Sequence, residues 1–224
     1  MGAQLPSDTI KYMRTTQFVN NECYHVYNRG VDKRNIFSNT KDLDRFMESL
    51  VSFNSIDPVG SIYEDSFEKD THKIKRKQLV QIIAYCLNPN HYHLLLQQNT
   101  DSGIEKFMHR IGTGYTNYFN LKNKRSGSLF QGRFKAIHVE ENGYLIHLSA
   151  YINLNNLAHH LGSSASKLMR NSWEEYLGKS NHPISNPSIV LEQFETIKEY
   201  EKFAYEALEI IRERKEENKE LESL

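Results

Sequence analysis

The stretch from Leu79 to Gln97, LVQIIAYCL-NPN-HYHLLLQ, decides the fold. An apolar run, a turn at Asn88-Pro89-Asn90 and a second apolar run predict two strands joined as a β-hairpin. Side chains on a strand alternate faces. Tyr92, Leu94 and Leu96 therefore form one apolar set suited to a core, and His91 and His93 project together from the opposite face. Two imidazoles side by side can bind one metal ion, although an H-x-H pair on a strand also occurs as ordinary structure.

Before the hairpin, Glu22 to Asn28 (ECYHVYN) is short, aromatic and β-branched, and it ends at Arg29-Gly30 as a strand entering a turn. Thr40 to Phe53 reads as a helix, with Thr40 as cap, Asp42 and Asp44 in the first turn, and Leu43, Phe46, Met47 and Leu50 at helical spacing. The segment 55–77 reads as a long loop or mobile hairpin. After the hairpin, Ile104 to Leu121 is a helix that Gly112 and Gly114 weaken. A basic loop follows over 123–127. Leu129 to Glu140 is a fourth strand, Asn142 to Asn156 a helix, and Leu191 to Leu224 a long charged helix. The segment 163–187 is polar and irregular apart from a helical patch around Trp173.

This order predicts an α+β domain, an antiparallel sheet with helices on one face, broadly ferredoxin-like. The expected organisation is a lead-in over 1–18, a domain over 19–160 with an insertion at 55–77, a linker over 161–190, and a C-terminal helix over 191–224.

Composition narrows the class. With 38% apolar and 25% charged residues in 224, the chain reads as soluble and globular. No apolar run reaches the roughly 18–20 residues of a membrane span, and Met1-Gly2-Ala3-Gln4 lacks a signal-peptide layout. Cys23 and Cys86 make no disulfide framework and read as buried thiols of a cytoplasmic protein. The formal net charge of zero hides a strong asymmetry: seven Lys/Arg face only Asp101 and Glu105 between 101 and 135, and eleven acidic residues face six basic ones from Glu192 onward. A basic middle suits a polyanion partner.

Tyr151 and Asn155 lie four residues apart on the helix after the last strand, so both occupy one face and can present a phenol and an amide oxygen to one point. Leu145, Leu148 and Ile152 form a separate apolar stripe. A partly buried tyrosine with an asparagine near a helix end would give the same spacing. Tyr115 and Tyr118 are rival nucleophiles, but they fit the apolar stripe of their own helix and are assigned to packing. His159 and His160 read as surface residues, and His147, one turn before Tyr151, carries no assignment.

Four pieces occur in order: Tyr24-His25-Val26-Tyr27-Asn28-Arg29-Gly30; Asn90-His91-Tyr92-His93-Leu94-Leu95; Gly127-Ser128-Leu129-Phe130-Gln131-Gly132-Arg133-Phe134-Lys135; and Tyr151-Ile152-Asn153-Leu154-Asn155. Over about residues 20–160 the chain resembles the single-tyrosine HUH transposases, especially the REP-associated tyrosine transposases. The resemblance implies that His91 and His93 bind a divalent metal, Mg²⁺ or Mn²⁺, that Tyr151 is the nucleophile and that Asn155 is the third ligand. The family usually follows that asparagine with proline and, shortly after, alanine; here Asn156 and Ala158 follow. The implied reaction is cleavage and strand transfer of single-stranded or hairpin DNA through a 5′-phosphotyrosine link. Arg29, Arg110, Lys122, Lys124, Arg125, Arg133 and Lys135 are the candidates for phosphate contact.

Three other readings compete: a hairpin-DNA binder that has lost its chemistry, a rolling-circle initiator or relaxase, and a structural zinc module. The last lacks suitably spaced cysteines. Whether the chain is a monomer or a homodimer stays open.

Overall fold

The computed structural model describes residues 16–60, 62, 76–158 and 167–222. The hairpin is its centre: β2 (Val80–Asn88) and β3 (His91–Gln98) pair antiparallel from Val80↔Gln98 to Asn88↔His91, with Pro89 and Asn90 as the turn. β1 (Cys23–Arg29) pairs with the other edge of β3, and β4 (Lys135–Val139) with the other edge of β1. A two-residue β5 (Arg170–Asn171) closes the order β4-β1-β3-β2-β5, antiparallel throughout. The first four strands stand in the order expected of a split βαβ, ferredoxin-like sheet.

Each face of the sheet has its own core. On one, Tyr24, Val26, Tyr92, Leu94 and Leu96 meet α1 (Thr40–Ser52) and α2 (Gly103–Lys122) through Phe46, Leu50, Phe107 and Ile111. Two helices on one face is the expected arrangement. The other face is covered as well: Ile83, Ala84, Cys86 and Leu95 pack with α3 (Asn142–Asn153) and the C-terminal α7 (Ile197–Glu222). A β-bulge between Ile82 and Ala84 turns both Ile83 and Ala84 toward this second core. The second layer follows from α3 being apolar on more than the expected stripe, since Leu145, Leu148, Ala150 and Ile152 are all buried.

Several local expectations need correction. Asn39, not Thr40, caps α1; its side-chain oxygen accepts from the Asp42 N–H at 3.2 Å, a contact worth about 1 kcal/mol. Asp42, fully buried, accepts from Ser38 N–H at 2.8 Å, from the Tyr118 hydroxyl at 3.0 Å and from the Lys122 ammonium, so it joins α1 to α2. Gly114 is no mere cost to α2: a Cβ there would meet the Phe53 ring at 2.8 Å. The fourth strand is confined to Lys135–Val139, because the chain bends at Gly132 (φ +74°), leaving Leu129 and Phe130 as core anchors and Phe130 as an isolated bridge to Gly30. The helix expected to run to Asn156 breaks at Leu154 (φ −107°, ψ 14°) and resumes as α4 (Asn155–Ala158).

The segment expected as a linker, 161–190, belongs to the domain where it is described. It supplies β5, the short α5 (Trp173–Tyr176) with Tyr176 fully buried, and α6 (Ser188–Leu191). A strand of two residues shows no periodicity to read; the open edge of β2 recruits it. Residues at the end of the expected lead-in also pack, Phe18 lying edge-on to Tyr24 with ring centroids 4.8 Å apart. Most of the 55–77 insertion lies outside the described residues; Ile56 N–H donates to Lys77 O at 2.9 Å, which brings its ends together.

Candidate functional site

Antiparallel register decides which side chains meet on the second face. His93 stands between Tyr27 on β1 and Cys86 on β2, and His91 between Arg29 and Asn88. Directly opposed residues on antiparallel strands share a face, so these side chains form one patch at the Asn88/His91 end of the hairpin. Helix α3 crosses that face and brings Tyr151 edge-on to His93, ring centroids 5.7 Å apart. The His91 and His93 rings are 5.1 Å apart and perpendicular. A cavity of about 920 Å³ opens here, lined by Arg29, Asn88, His91, His93, Lys135 and Tyr151 among others. Arg29 and Lys135 are exposed at its mouth, and no Asp or Glu lines it among the described residues.

Hydrogen bonds fix the state of His91. Asn90 Nδ2 donates to Lys33 O at 3.1 Å, which turns Asn90 Oδ1 toward His91 Nδ1 at 2.6 Å. An amide oxygen only accepts, so in the neutral imidazole Nδ1 carries the proton and Nε2 the lone pair. Nε2 accepts from Asn88 Nδ2 at 3.0 Å, and the same Nδ2 donates to Asn155 Oδ1 at 2.8 Å. His91 Nε2 and Asn155 Oδ1 thus converge on a single point. Asn88 and Asn155 are both fully buried, and Asn155 Nδ2 has no hydrogen-bond partner. His91 Nε2 and Asn155 Oδ1 around one point, with the His93 ring 5.1 Å from that of His91, offer nitrogen and oxygen donors of the kind a divalent cation takes.

His93 is held from behind. Its Nδ1 lies 2.9 Å from His25 Nε2, the rings stacked at 5.1 Å. Burial pushes the His25 imidazole down to about 4, so it is neutral at physiological pH. Burial raises the Tyr151 phenol above its ordinary value, and the Asn155 amide acts in the opposite direction. Burial likewise pushes the Cys86 thiol up to about 12, partly offset by its contact to Asn88.

The other sequence candidates fall in different places. Tyr115 is fully buried on the opposite side of the sheet and donates to Ile36 O at 2.6 Å, and Tyr118 is tied to Asp42. His147 packs on Phe203 of α7, centroids 4.8 Å apart. His159 and His160 lie outside the described residues. Among the seven basic candidates, Arg29 and Lys135 line the cavity. Arg133 lines an adjoining groove of about 450 Å³. Arg110 donates to Phe53 O and Ser55 O (3.2 and 2.6 Å), Lys122 pairs with Asp42, and Arg125 donates to Asn120 Oδ1 and Ser128 O. Those three hold the fold together. Lys124 is exposed at a positive φ of 49°. Sequence reasoning gave Asn88 and Asn90 a role only in the turn, and gave His25 no role of its own. Asn88 and His25 fall in register with His91 and Leu95, a signal that becomes readable once the strand pairing is known.

Residues 59–155 match the family model described as "Transposase IS200 like", a span that contains His91, His93, Tyr151 and Asn155. This is the kind of family that the four motifs resemble. Among solved structures, one titled "Structure of the REP associates tyrosine transposase bound to a REP hairpin" is similar over 78% of this chain and 90% of its own, at 12% identity and a TM-score of 0.49. No curated protein matches the chain.

Proposed function

We propose, with the IS200-like transposase match as premise, that the chain cleaves single-stranded DNA and transfers the strand through a covalent link to Tyr151. The observation that carries this reading is the meeting of Tyr151, His91 and His93 in one cavity whose charged lining is wholly cationic, with Asn155 joined to His91 through the lining residue Asn88. A neutral imidazole–amide donor set beside Arg29 and Lys135 suits a phosphodiester, and it reconciles a net charge of zero with a polyanionic substrate.

Tyr151 is the nucleophile. Its oxygen attacks the phosphorus, the P–O3′ bond breaks, and O3′ leaves as a hydroxyl while the phenolic proton is lost. The product is a 5′-phosphotyrosine and a free 3′-OH. Another 3′-OH reverses the exchange and joins strands, so the energy of the phosphodiester is kept. An unperturbed phenol is ionised in roughly one molecule in a thousand at neutral pH, and burial lowers that fraction for Tyr151. A divalent cation, Mg²⁺ or Mn²⁺, held by His91, His93 and Asn155 would neutralise charge on the phosphate and favour the phenolate. Arg29 and Lys135, at the mouth, orient the phosphate backbone.

The test is incubation of labelled hairpin DNA bearing single-stranded flanks with wild type and Tyr151→Phe, with and without Mn²⁺, on a denaturing gel. A metal-dependent protein–DNA adduct is expected in wild type and absent from the variant, which still binds DNA. An adduct that persists in Tyr151→Phe would sink the assignment.

A further inference from the structure

Asn88 is fully buried, and every polar atom of its side chain is engaged. The Cys86 thiol, 3.7 Å away, donates to Oδ1, which fixes the orientation of the amide and turns Nδ2 the other way. The two N–H bonds of Nδ2 then meet the His91 Nε2 lone pair at 3.0 Å and Asn155 Oδ1 at 2.8 Å. The Asn90 contact places the proton of the neutral imidazole on Nδ1, which leaves the lone pair on His91 Nε2. The two acceptors that Asn88 bridges are two of the three atoms that a cation would use.

We propose that Asn88 is a built-in occupant of the cation position, its amide holding His91 and Asn155 together and leaving when a divalent ion enters. The proposal rests on the reading of His91, His93 and Asn155 as metal ligands. A cation coordinates at about 2.0–2.2 Å, well inside the 2.8–3.0 Å at which Nδ2 stands. The single lone pair of His91 Nε2 is spent on Asn88, and Nδ2 stands between that nitrogen and Asn155 Oδ1, so amide and ion exclude each other. The clamp keeps two acceptors, the one on Asn155 fully buried, satisfied and in register, and it sets a threshold on affinity, because loading must displace Nδ2 from both. Asn88 is a positioning residue here; it touches the ligands and takes no part in bond making.

The full chain, stripped with EDTA, is titrated with Mn²⁺ alone, free ion being followed by electron paramagnetic resonance, for wild type, Asn88→Ala, Asn88→Ser and His91→Ala. Loss of two net hydrogen bonds to the competitor is expected to tighten Mn²⁺ binding roughly ten-fold in whichever Asn88 variant folds. In ¹⁵N-labelled wild type, the Asn88 side-chain amide protons are expected to be protected from solvent exchange in EDTA and to shift and exchange on addition of Mg²⁺. Unchanged or weaker Mn²⁺ binding in both Asn88 variants, with His91→Ala still abolishing binding in the same assay, overturns the proposal and leaves the metal site standing. If wild type binds Mn²⁺ no better than His91→Ala, the metal-site reading itself falls, and this proposal with it.

Discussion

His91 and His93 look equivalent in the sequence, yet each is held differently. His91 leans on the turn amide of Asn90, and His93 leans on His25 from the neighbouring strand. Partners on the far nitrogen of a ligating imidazole set its tautomer and aim, and their loss typically costs 10–100-fold in metal affinity. His25→Ala is therefore expected to weaken Mn²⁺ binding by about that factor, with His25→Gln, which still offers a polar group, recovering part of it. Calorimetric titration of both variants checks this; equal affinity in His25→Ala and wild type would show that His93 needs no such support.

Among the elements, α3 has the most exacting position, because one face carries Tyr151 to the cavity and the other rests on α7. The second contact is polar and buried: the Tyr200 hydroxyl lies 3.0 Å from Ser149 Oγ and accepts from Asn153 Nδ2 at 3.0 Å, and Asn153 Oδ1 accepts from Ser172 Oγ at 2.6 Å. Ser172 Oγ in turn accepts from Tyr85 N–H on β2 at 3.0 Å. The long C-terminal helix is thereby part of the frame that places Tyr151 beside His93. Tyr200→Phe strands the buried Asn153 amide and is expected to destabilise the protein by about 1–3 kcal/mol, read as a lower midpoint in chemical denaturation. A midpoint equal to wild type would mean that the network is idle.

On the scale of the whole molecule, the sheet separates two chemistries, an aromatic core on the α1/α2 side and the polar cavity beneath α3. The basic residues divide the same way. Arg29→Ala and Lys135→Ala should each lower the slope of log affinity against log salt for single-stranded DNA by about 0.7 without changing thermal stability. Arg110→Ala, which removes two backbone anchors, should lower thermal stability and leave the slope alone. Salt titrations beside melting curves separate these effects. The protein should also lose stability in alkali. Burial raises the Cys23 and Cys86 thiols from 9.0 to about 11 and about 12, so their contribution is intact below about pH 9 and declines as pH climbs from there toward 12. Thiol reagents at neutral pH should leave both cysteines unmodified until the chain unfolds; fast reaction of either one in the native state would contradict its burial.

The sequence by itself determined the hairpin, the apolar face of Tyr92, Leu94 and Leu96, the shared direction of His91 and His93, and the α+β order, because each follows from local periodicity and turn chemistry. It also carried Tyr151 and Asn155 as a pair, since four residues are one helical turn. Only the tertiary structure decided that this pair meets the histidines, that His25 and Asn88 join them, and that Arg110, Lys122 and Arg125 are tied into the fold. Those facts depend on strand register and on helices placed by distant contacts. Cross-strand partners such as Asn88 and His91, or Tyr27 and His93, become neighbours through backbone pairing, and a two-residue strand such as Arg170–Asn171 exists because an open edge of β2 accepts it.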